Sequence, residues 1–180
     1  MKLTILFGGA SFEHEISIVS AITLKQKLTK FELSFVFCDQ DHSFYLIPSD
    51  KMKAVTFSKG EYKKMPKLSL SHGAFVQKGL FSSTEISGTV ENLIHGADGE
   101  DGSIAALLDF FAIKYIGPRM DASVFSYDKR YTKWLCNARG VKAVESQELS
   151  KSEHDNINIA YPLIVKPSRL GSSIGVSIVR

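Results

Sequence analysis

Two apolar runs near the start of the chain, residues 3–7 and 33–38, are rich in β-branched and aromatic side chains. Continuous apolar runs of this length are typical of parallel strands that are buried on both faces. Between them, residues 15–28 predict a helix, because apolar side chains recur there at helical spacing, at Ile16, Val19, Ile22 and Leu24. The three segments together predict a βαβ unit with a right-handed crossover.

Further along, residues 89–94 and 114–116 predict two more strands, and residues 103–111 predict a helix between them. This helix is expected to pack through Ile104, Leu107, Leu108 and Phe111. The pattern is weaker from residue 39 to residue 88, where segments 43–47 and 74–76 are predicted strands and 63–67 is a predicted exposed loop. We therefore expect hairpins or loops added to the sheet in this region.

Gly117 and Pro118 interrupt the pattern and predict a domain boundary. After them, residues 121–127 and 129–138 predict helices, and residues 161–166 and 175–179 predict the two strands of a hairpin. A hairpin without a following helix cannot bury both of its faces, so we expect residues 118–180 to be an incomplete domain. The predicted fold class is α/β, with a parallel-sheet domain over residues 1–117.

The composition excludes several classes of protein. Its 44% hydrophobic and 23% charged residues are typical of a soluble globular protein, and no apolar run approaches the length of a membrane span. Cys38 and Cys136 are far apart, so we expect two buried thiols in a reducing cytoplasm. The net charge of +3 is too small to indicate nucleic acid. After Gly117, 10 Lys and Arg stand against 6 Asp and Glu, which suits either a small anionic ligand such as a nucleotide or a solvated basic face.

Residues 166–175 combine a lysine at a strand end with two glycines and two serines. Glycines let the backbone approach a phosphate, while hydroxyls, N–H groups and an ammonium bind its oxygens. The spacing is not that of a Walker A loop. Taken alone, such a segment is more often a structural hairpin than a phosphate-binding loop.

The turn after the first strand, residues 8–15, lies where open α/β sheets bind ligands, at the carboxyl end of a parallel strand. Glu13 and Glu15 either complement the dipole of the following helix or, in the case of Glu13, face the crevice and bind a substrate ammonium. Ala10 replaces the second glycine of a dinucleotide-binding G-x-G-x-x-G motif, although Asp39 after the second strand leaves that alternative open.

Residues 95–102 place four polar or acidic side chains among three glycines, directly after a predicted strand. The spacing is wrong for a calcium loop. Asp101 fits as the N-cap of the next helix. The functional alternative places His95 and Glu100 in the same crevice as Glu13.

The two predicted helices after the domain boundary are joined by a short polar segment, Tyr127, Asp128 and Lys129. A lysine that opens a helix is usually exposed to solvent. Trp134, one turn further, is predicted to pack in the core.

Four segments in this order resemble the D-alanine–D-alanine ligases of the ATP-grasp superfamily: residues 6–17, 95–102, 117–129 and 165–175. Each segment is weak alone, but their order and spacing are specific. Ala97 and Leu170 depart from the family pattern at positions without an assigned chemical role. The resemblance implies a Rossmann-like pre-ATP-grasp domain, residues 1–117, followed by the beginning of an ATP-grasp domain, residues 118–180.

The resemblance also implies roles for individual residues. Glu13 matches the glutamate that holds the first D-alanine by its ammonium, and His95 matches a histidine near the carboxylate of that substrate. Ser172 matches a serine that positions this glutamate, so Glu13 and Ser172 are the implied catalytic pair. The residues implied to bind ATP are Lys129, Lys166, Gly171, Ser172, Ser173 and Gly175.

The family reaction joins two D-alanines through an acyl phosphate, for the synthesis of peptidoglycan precursors. It uses ATP with Mg²⁺ or Mn²⁺, and the metal ligands are expected beyond residue 180, so we expect this chain alone to be inactive. The resemblance implies a cytoplasmic homodimer that binds neither nucleic acid nor membrane. Alternatives are another ATP-grasp carboxylate–amine ligase, a relative that accepts D-lactate as second substrate, and a non-catalytic nucleotide-binding module with NAD near Gly8 and Asp39.

Overall fold

The computed structural model describes residues 1–153 and 156–180, which form two compact units, 1–122 and 123–180. The strands of the first unit are β1 (Lys2–Gly8), β2 (Glu32–Cys38), β3 (Phe44–Ile47), β4 (Lys67–Ser71), β5 (Ala74–Lys78), β6 (Ser83–Ile86), β7 (Thr89–Asn92) and β8 (Tyr115–Ile116). Its helices are α1 (His14–Lys27), α2 (Ala54–Ser58) and α3 (Ser103–Phe110). Helix α4 (Met120–Tyr127) crosses the division between the units, slightly after the predicted boundary at Gly117 and Pro118.

The strands of the first unit form one eight-stranded sheet in the order β6-β5-β4-β3-β2-β1-β7-β8. Strand β1 pairs in parallel with β2 and β7, and β7 pairs in parallel with β8. The βαβ unit predicted at the start of the chain is therefore confirmed. The other half of the sheet, from β3 to β6, is antiparallel.

Strand β1 is mostly apolar and is buried from Leu3 to Gly8 because both faces of the sheet are covered there. Ile5 and Phe7 pack with the α1 residues Ile18 and Ala21 on one face. Leu6 points the opposite way, as the alternation of a strand requires, and belongs to the cluster that contains the α3 residues Ile104 and Leu108 on the other face. The two helices predicted from periodicity thus cover opposite faces of the parallel half.

Helix α1 buries only part of the face that its apolar spacing predicts, because Ile22 and Leu24 pack against the core cluster but the other two apolar positions do not. Ile16 and Val19 are exposed, whereas Ser17, Ile18 and Ala21 are buried. Ser17 is buried at little cost because its hydroxyl donates to the Leu93 carbonyl at 2.6 Å and accepts from the Gly8 N–H at 2.8 Å. A polar residue therefore anchors the helix to two strand ends.

Ser17→Ala should lower the free energy of unfolding by about 1–3 kcal/mol, because it leaves a buried donor and a buried acceptor without this partner. Urea unfolding followed by far-UV circular dichroism measures the loss. Thr23→Ala, on the exposed side of the same helix, is the matched control and should change stability by less than about 0.5 kcal/mol. Equal effects of the two substitutions would contradict the anchoring role.

The region from residue 39 to residue 88 forms the antiparallel half of the sheet, as the prediction of added hairpins anticipated. The predicted strands 43–47 and 74–76 correspond to β3 and β5. The predicted exposed loop 63–67 is partly wrong: residues 61–64 form a 3-10 turn, and Lys67 begins β4. Strand β6 and the short helix α2 were not predicted.

The second unit contains α5 (Lys129–Ala138) and a two-stranded antiparallel ribbon of β9 (Leu163–Val165) and β10 (Ser177–Val179). The helix and the hairpin are as predicted. Trp134 is a correction, because its side chain is 62% exposed and stacks on Phe125 instead of filling a core. Among the helices in the described ranges, none has the length and apolar character needed to cross a membrane.

Candidate active site

The turn between β1 and α1 is built from backbone contacts that only glycine permits. Gly8 has a φ of +103°, and a Cβ there would lie 2.2 Å from the Cys38 carbonyl oxygen. Gly9 donates its N–H to that same carbonyl at 2.9 Å, and the His14 ring nitrogen Nδ1 lies 2.6 Å from the Gly9 oxygen. The turn is therefore held rigidly at the carboxyl ends of β1 and β2.

Glu13 lies against the loop formed by residues 95–102. A Cβ on Gly96 would be 2.9 Å from Glu13 Oε2, so the carboxylate sits directly beside this backbone. Ser11 links the same two segments, because its hydroxyl donates to the His95 carbonyl at 2.6 Å and accepts from the Glu13 N–H at 3.1 Å. The carboxyl ends of β1 and β7 thus bring Glu13 to this loop, as expected for neighbouring parallel strands.

His95 and Glu100 lie at the same edge. The His95 Nδ1 and Glu100 Oε1 atoms are 3.9 Å apart, and His95 Nε2 is 3.4 Å from the Ser20 hydroxyl. Glu100 also accepts the Gly96 N–H at 3.0 Å, which closes the loop on itself. Asp101 accepts from the Ser103 N–H at 2.9 Å at the start of α3. The N-cap of α3 is Gly102, however, so the prediction that Asp101 occupies the cap is wrong by one residue.

Asp98 connects three turns at this edge. Its Oδ2 atom lies 2.9 Å from His42 Nε2 and accepts the Ala10 N–H at 3.4 Å. Both Asp98 (φ 69°) and His42 (φ 59°) adopt left-handed backbone, which is unfavourable for residues other than glycine and is found at ligand sites. In the sequence Asp98 is only one acid of a polar loop, and no sequence pattern indicates a role for His42.

Asp39 is buried within its own turn. Its Oδ1 atom accepts from the N–H groups of Asp41 and Ser43 at 3.0 and 2.9 Å. A carboxylate engaged in this way is poorly placed to bind a ribose, which disfavours the dinucleotide alternative. Burial, with the carboxylates of Asp98 and Asp39 nearby, raises the pKa of the Cys38 thiol to about 12, so this cysteine is an inert core residue.

In the second unit, the start of α5 holds the segment before Gly171. Lys129 donates its backbone N–H to the Ser168 carbonyl at 3.0 Å and its ammonium to the Leu170 carbonyl at 2.8 Å. The lysine is therefore partly buried and engaged, contrary to the fully solvated position that its place in the helix favours. Lys166 lies just after β9 and is exposed.

The loop from Gly171 to Gly175 has an unusual backbone. Ser172 and Ser173 have φ values of 49° and 60°, and Gly175 has a φ of 70°. Left-handed residues in a turn form the concave amide nests that bind anions, and such strain is concentrated at ligand clamps. The loop is also exposed, so these features favour a phosphate-binding loop over a purely structural hairpin.

Asp128 caps α5, and among the described carboxyl groups of the second unit its pKa is shifted the most. Its side chain is 2% exposed and pairs with Arg130 and Arg169. Hydrogen bonds from Arg130, and then from Arg169, hold the pKa of Asp128 well below its usual range despite the opposing effect of burial.

Because its pKa is lowered in the folded state, Asp128 contributes stability that is present above about pH 4 and lost as the pH falls further. We expect the urea stability of the second unit, followed by the fluorescence of Trp134, to fall more between pH 6 and pH 3 in the wild type than in Asp128→Asn. Parallel pH profiles of the two proteins would contradict this contribution.

Within the described ranges, no group of three or more His, Cys, Asp or Glu side chains is close enough to hold a metal ion. Of the two cysteines, both free thiols, Cys38 is buried as predicted and Cys136 is only partly buried.

Comparison with families of known sequence gives two matches. The family described as D-ala D-ala ligase N-terminus matches residues 2–118, and the family described as D-ala D-ala ligase C-terminus matches residues 132–180. A D-alanine–D-alanine ligase of Sulfurimonas denitrificans is 83% identical over the whole chain, which covers 52% of that relative. One from Helicobacter hepaticus is 53% identical over 99% of the chain and 51% of its own length.

Two solved structures that resemble this chain are also D-alanine–D-alanine ligases. The crystal structure of a D-alanine–D-alanine ligase from Helicobacter pylori superposes with a TM-score of 0.90 at 44% identity, over 100% of this chain and 59% of that one. A ligase from Coxiella burnetii gives a TM-score of 0.80 at 26% identity, over 100% of this chain and 54% of that one. The chain therefore spans about half the length of the relatives it matches.

Proposed function

Because the chain belongs to the D-alanine–D-alanine ligase family, we propose that it forms the half of an ATP-dependent ligase that binds the first D-alanine and the phosphates of ATP. The observation that carries this proposal is the placement of the Glu13 carboxylate directly against Gly96, beside His95. An acid and an imidazole at one edge of a parallel sheet are suited to the two charged ends of an amino acid.

In the proposed complex, Glu13 accepts hydrogen bonds from the ammonium of the first D-alanine. His95 donates to its carboxylate and is steadied by Ser20 and Glu100. Ser172 is proposed to take part in positioning as well as in nucleotide binding. Charge-assisted hydrogen bonds of this kind contribute about 1.5–3 kcal/mol each, enough to orient a small substrate.

The loop from Gly171 to Gly175, with Ser172 and Ser173, is proposed to surround the phosphates, while Lys129 and Lys166 neutralise their charge. The support for this proposal is the left-handed backbone of the loop and its attachment to the start of α5. Phosphoryl transfer depends mostly on positioning and on charge stabilisation, which this arrangement supplies.

The proposed reaction proceeds in two displacements. A carboxylate oxygen of the first D-alanine attacks the γ-phosphorus of ATP, the bond to the β-phosphate oxygen breaks, and ADP leaves. The amine of the second D-alanine then attacks the acyl carbon and loses a proton, and inorganic phosphate leaves with the electron pair of the broken C–O bond. The product, D-alanyl-D-alanine, serves peptidoglycan precursor synthesis.

A chimera tests the proposal. Residues 1–180 are joined to the part of the Sulfurimonas denitrificans relative that follows its match to this chain, and ADP release is followed with Mg-ATP. We expect ADP formation that depends on D-alanine and is absent with L-alanine, while the 180-residue chain alone gives none. Activity with another amino acid in place of D-alanine would point to a related carboxylate–amine ligase and reject the proposed substrate.

The compartment and assembly follow from the same proposal. ATP dependence favours the cytoplasm, and the family suggests a homodimer. Sedimentation of the chimera at several concentrations measures its oligomeric state. A single monomeric species at all concentrations would reject the homodimer.

A further inference from the structure

The buried carboxylate of Asp128 has more partners than a helix cap requires. One oxygen, Oδ1, accepts the Arg130 N–H at 3.0 Å and thereby satisfies the first turn of α5. The other, Oδ2, accepts from Arg130 Nη2 at 2.7 Å and from Arg169 Nε at 2.8 Å. A charge that is 2% exposed persists only with such partners, and the Arg169 contact comes from a distant part of the sequence.

This ion pair is one of three consecutive attachments. Lys129 binds the Ser168 carbonyl through its backbone and the Leu170 carbonyl through its ammonium, while Asp128 binds the side chain of Arg169 between them. Residues 168, 169 and 170 are thus each tied to the first residues of α5. With Pro167 they join Lys166 to Gly171, so this attachment holds the segment that leads from the lysine to the first residue of the loop.

We propose that Asp128 is a positioning residue for the phosphates of ATP, which acts by holding Arg169 and so the segment between Lys166 and Gly171. The proposal rests on the proposed function, since it takes Lys166 and the loop from Gly171 to Gly175 as the phosphate-binding groups. Asp128 itself touches no substrate. Its negative charge, rather than its capping oxygen, carries the effect.

Asp128→Asn separates these two roles, because asparagine keeps an oxygen that caps α5 but loses the charge that pairs with Arg169. In the active chimera it should raise the KM for ATP about tenfold and leave the KM for D-alanine unchanged. Arg169→Gln should act in the same direction. In the double variant the effect should stay close to that of a single one, because both substitutions remove the same contact.

Glu148→Gln is the matched control. It removes the outer partner of Arg130, whose Nη1 donates to Glu148 at 2.7 Å, without contacting residues 168–170, and should leave the KM for ATP unchanged. A purely structural role of Asp128 predicts instead that both substrates are affected, or that Asp128 and Arg169 act additively. Either result in an active chimera overturns the proposal.

Hydrogen exchange on the 180-residue chain gives a readout that needs no activity. Amides in residues 168–176 should exchange faster in Asp128→Asn and Arg169→Gln than in the wild type or in Glu148→Gln. If the wild-type chimera fails to form ADP, the proposed function fails, whereas unchanged exchange in this segment rejects the positioning role on its own.

Discussion

Replacing Glu13 with glutamine in the chimera should raise the KM for the first D-alanine by roughly ten- to a hundredfold, while the KM for ATP changes little. The reason is that an amide keeps the shape of the carboxylate but loses the ionic part of its bond to the substrate ammonium, about 1.5–3 kcal/mol. Initial rates at varied D-alanine with saturating ATP give the KM for D-alanine. Initial rates at varied ATP with saturating D-alanine give the KM for ATP.

The control substitution lies two residues further along, in the first turn of α1. Glu15→Gln removes an equal charge from an exposed position on α1 and should leave both constants near those of the unmodified chimera. Lys166→Ala should produce the opposite pattern, a higher KM for ATP with little change for D-alanine. If Glu13→Gln and Lys166→Ala weakened ATP equally, the assignment of the two sites would be wrong.

The second large effect concerns the core of the first unit. Phe37→Ala should reduce the free energy of unfolding by about 3–5 kcal/mol, because the ring is fully buried and leaves a cavity that the rigid sheet cannot close. Its ring centroid lies 5.3 Å from that of Phe7, 4.8 Å from that of Phe57 and 4.6 Å from that of Tyr62.

Urea unfolding followed by circular dichroism measures this loss on the 180-residue chain. Phe110→Ala removes the same side chain from a position that is 83% exposed, and it should change stability by less than about 0.5 kcal/mol. A loss below about 1 kcal/mol for Phe37→Ala would mean that the aromatic cluster rearranges around the gap.

Strands β1 and β2 of the parallel half were predictable because most of their residues are apolar and buried. Residues 3–7 and 33–38 are runs with a single hydroxyl residue each among apolar ones, and the helix over 129–138 begins and ends where predicted. Strand β4 was missed because its apolar residues alternate with polar ones directly after a run of lysines, so the segment resembles a loop. Packing against β3 and β5 decides its structure.

Periodicity predicted only part of the buried face of α1, the part that contains Ile22 and Leu24. Ser17 is buried because two backbone groups from β1 and the end of β7 need its hydroxyl, and nothing in the spacing of Ile16 and Val19 indicates those partners. The spacing of apolar residues predicts which face of a helix is buried by the hydrophobic effect. It does not predict a face that is buried because its polar side chains make hydrogen bonds.

The part of the candidate site that lies at the ends of parallel strands was predictable from the sequence. Glu13 and His95 follow parallel neighbours, so their proximity follows from topology. The Asp98–His42 and Asp128–Arg169 pairs were not predictable, because each joins single polar residues that are distant in sequence. Pairs of this kind produce no periodic pattern in the sequence.

The ribbon of β9 and β10 has a consequence for the behaviour of the isolated chain at high concentration. Ile164, Val165 and Ile178 are exposed on it, the last at 67%, and among the described residues no further strand pairs with either of its outer edges. Exposed apolar strands with open edges are templates for pairing between molecules. Preparations of residues 1–180 should therefore become turbid as they are concentrated, and charged substitutions at Ile178 are a direct way to delay precipitation.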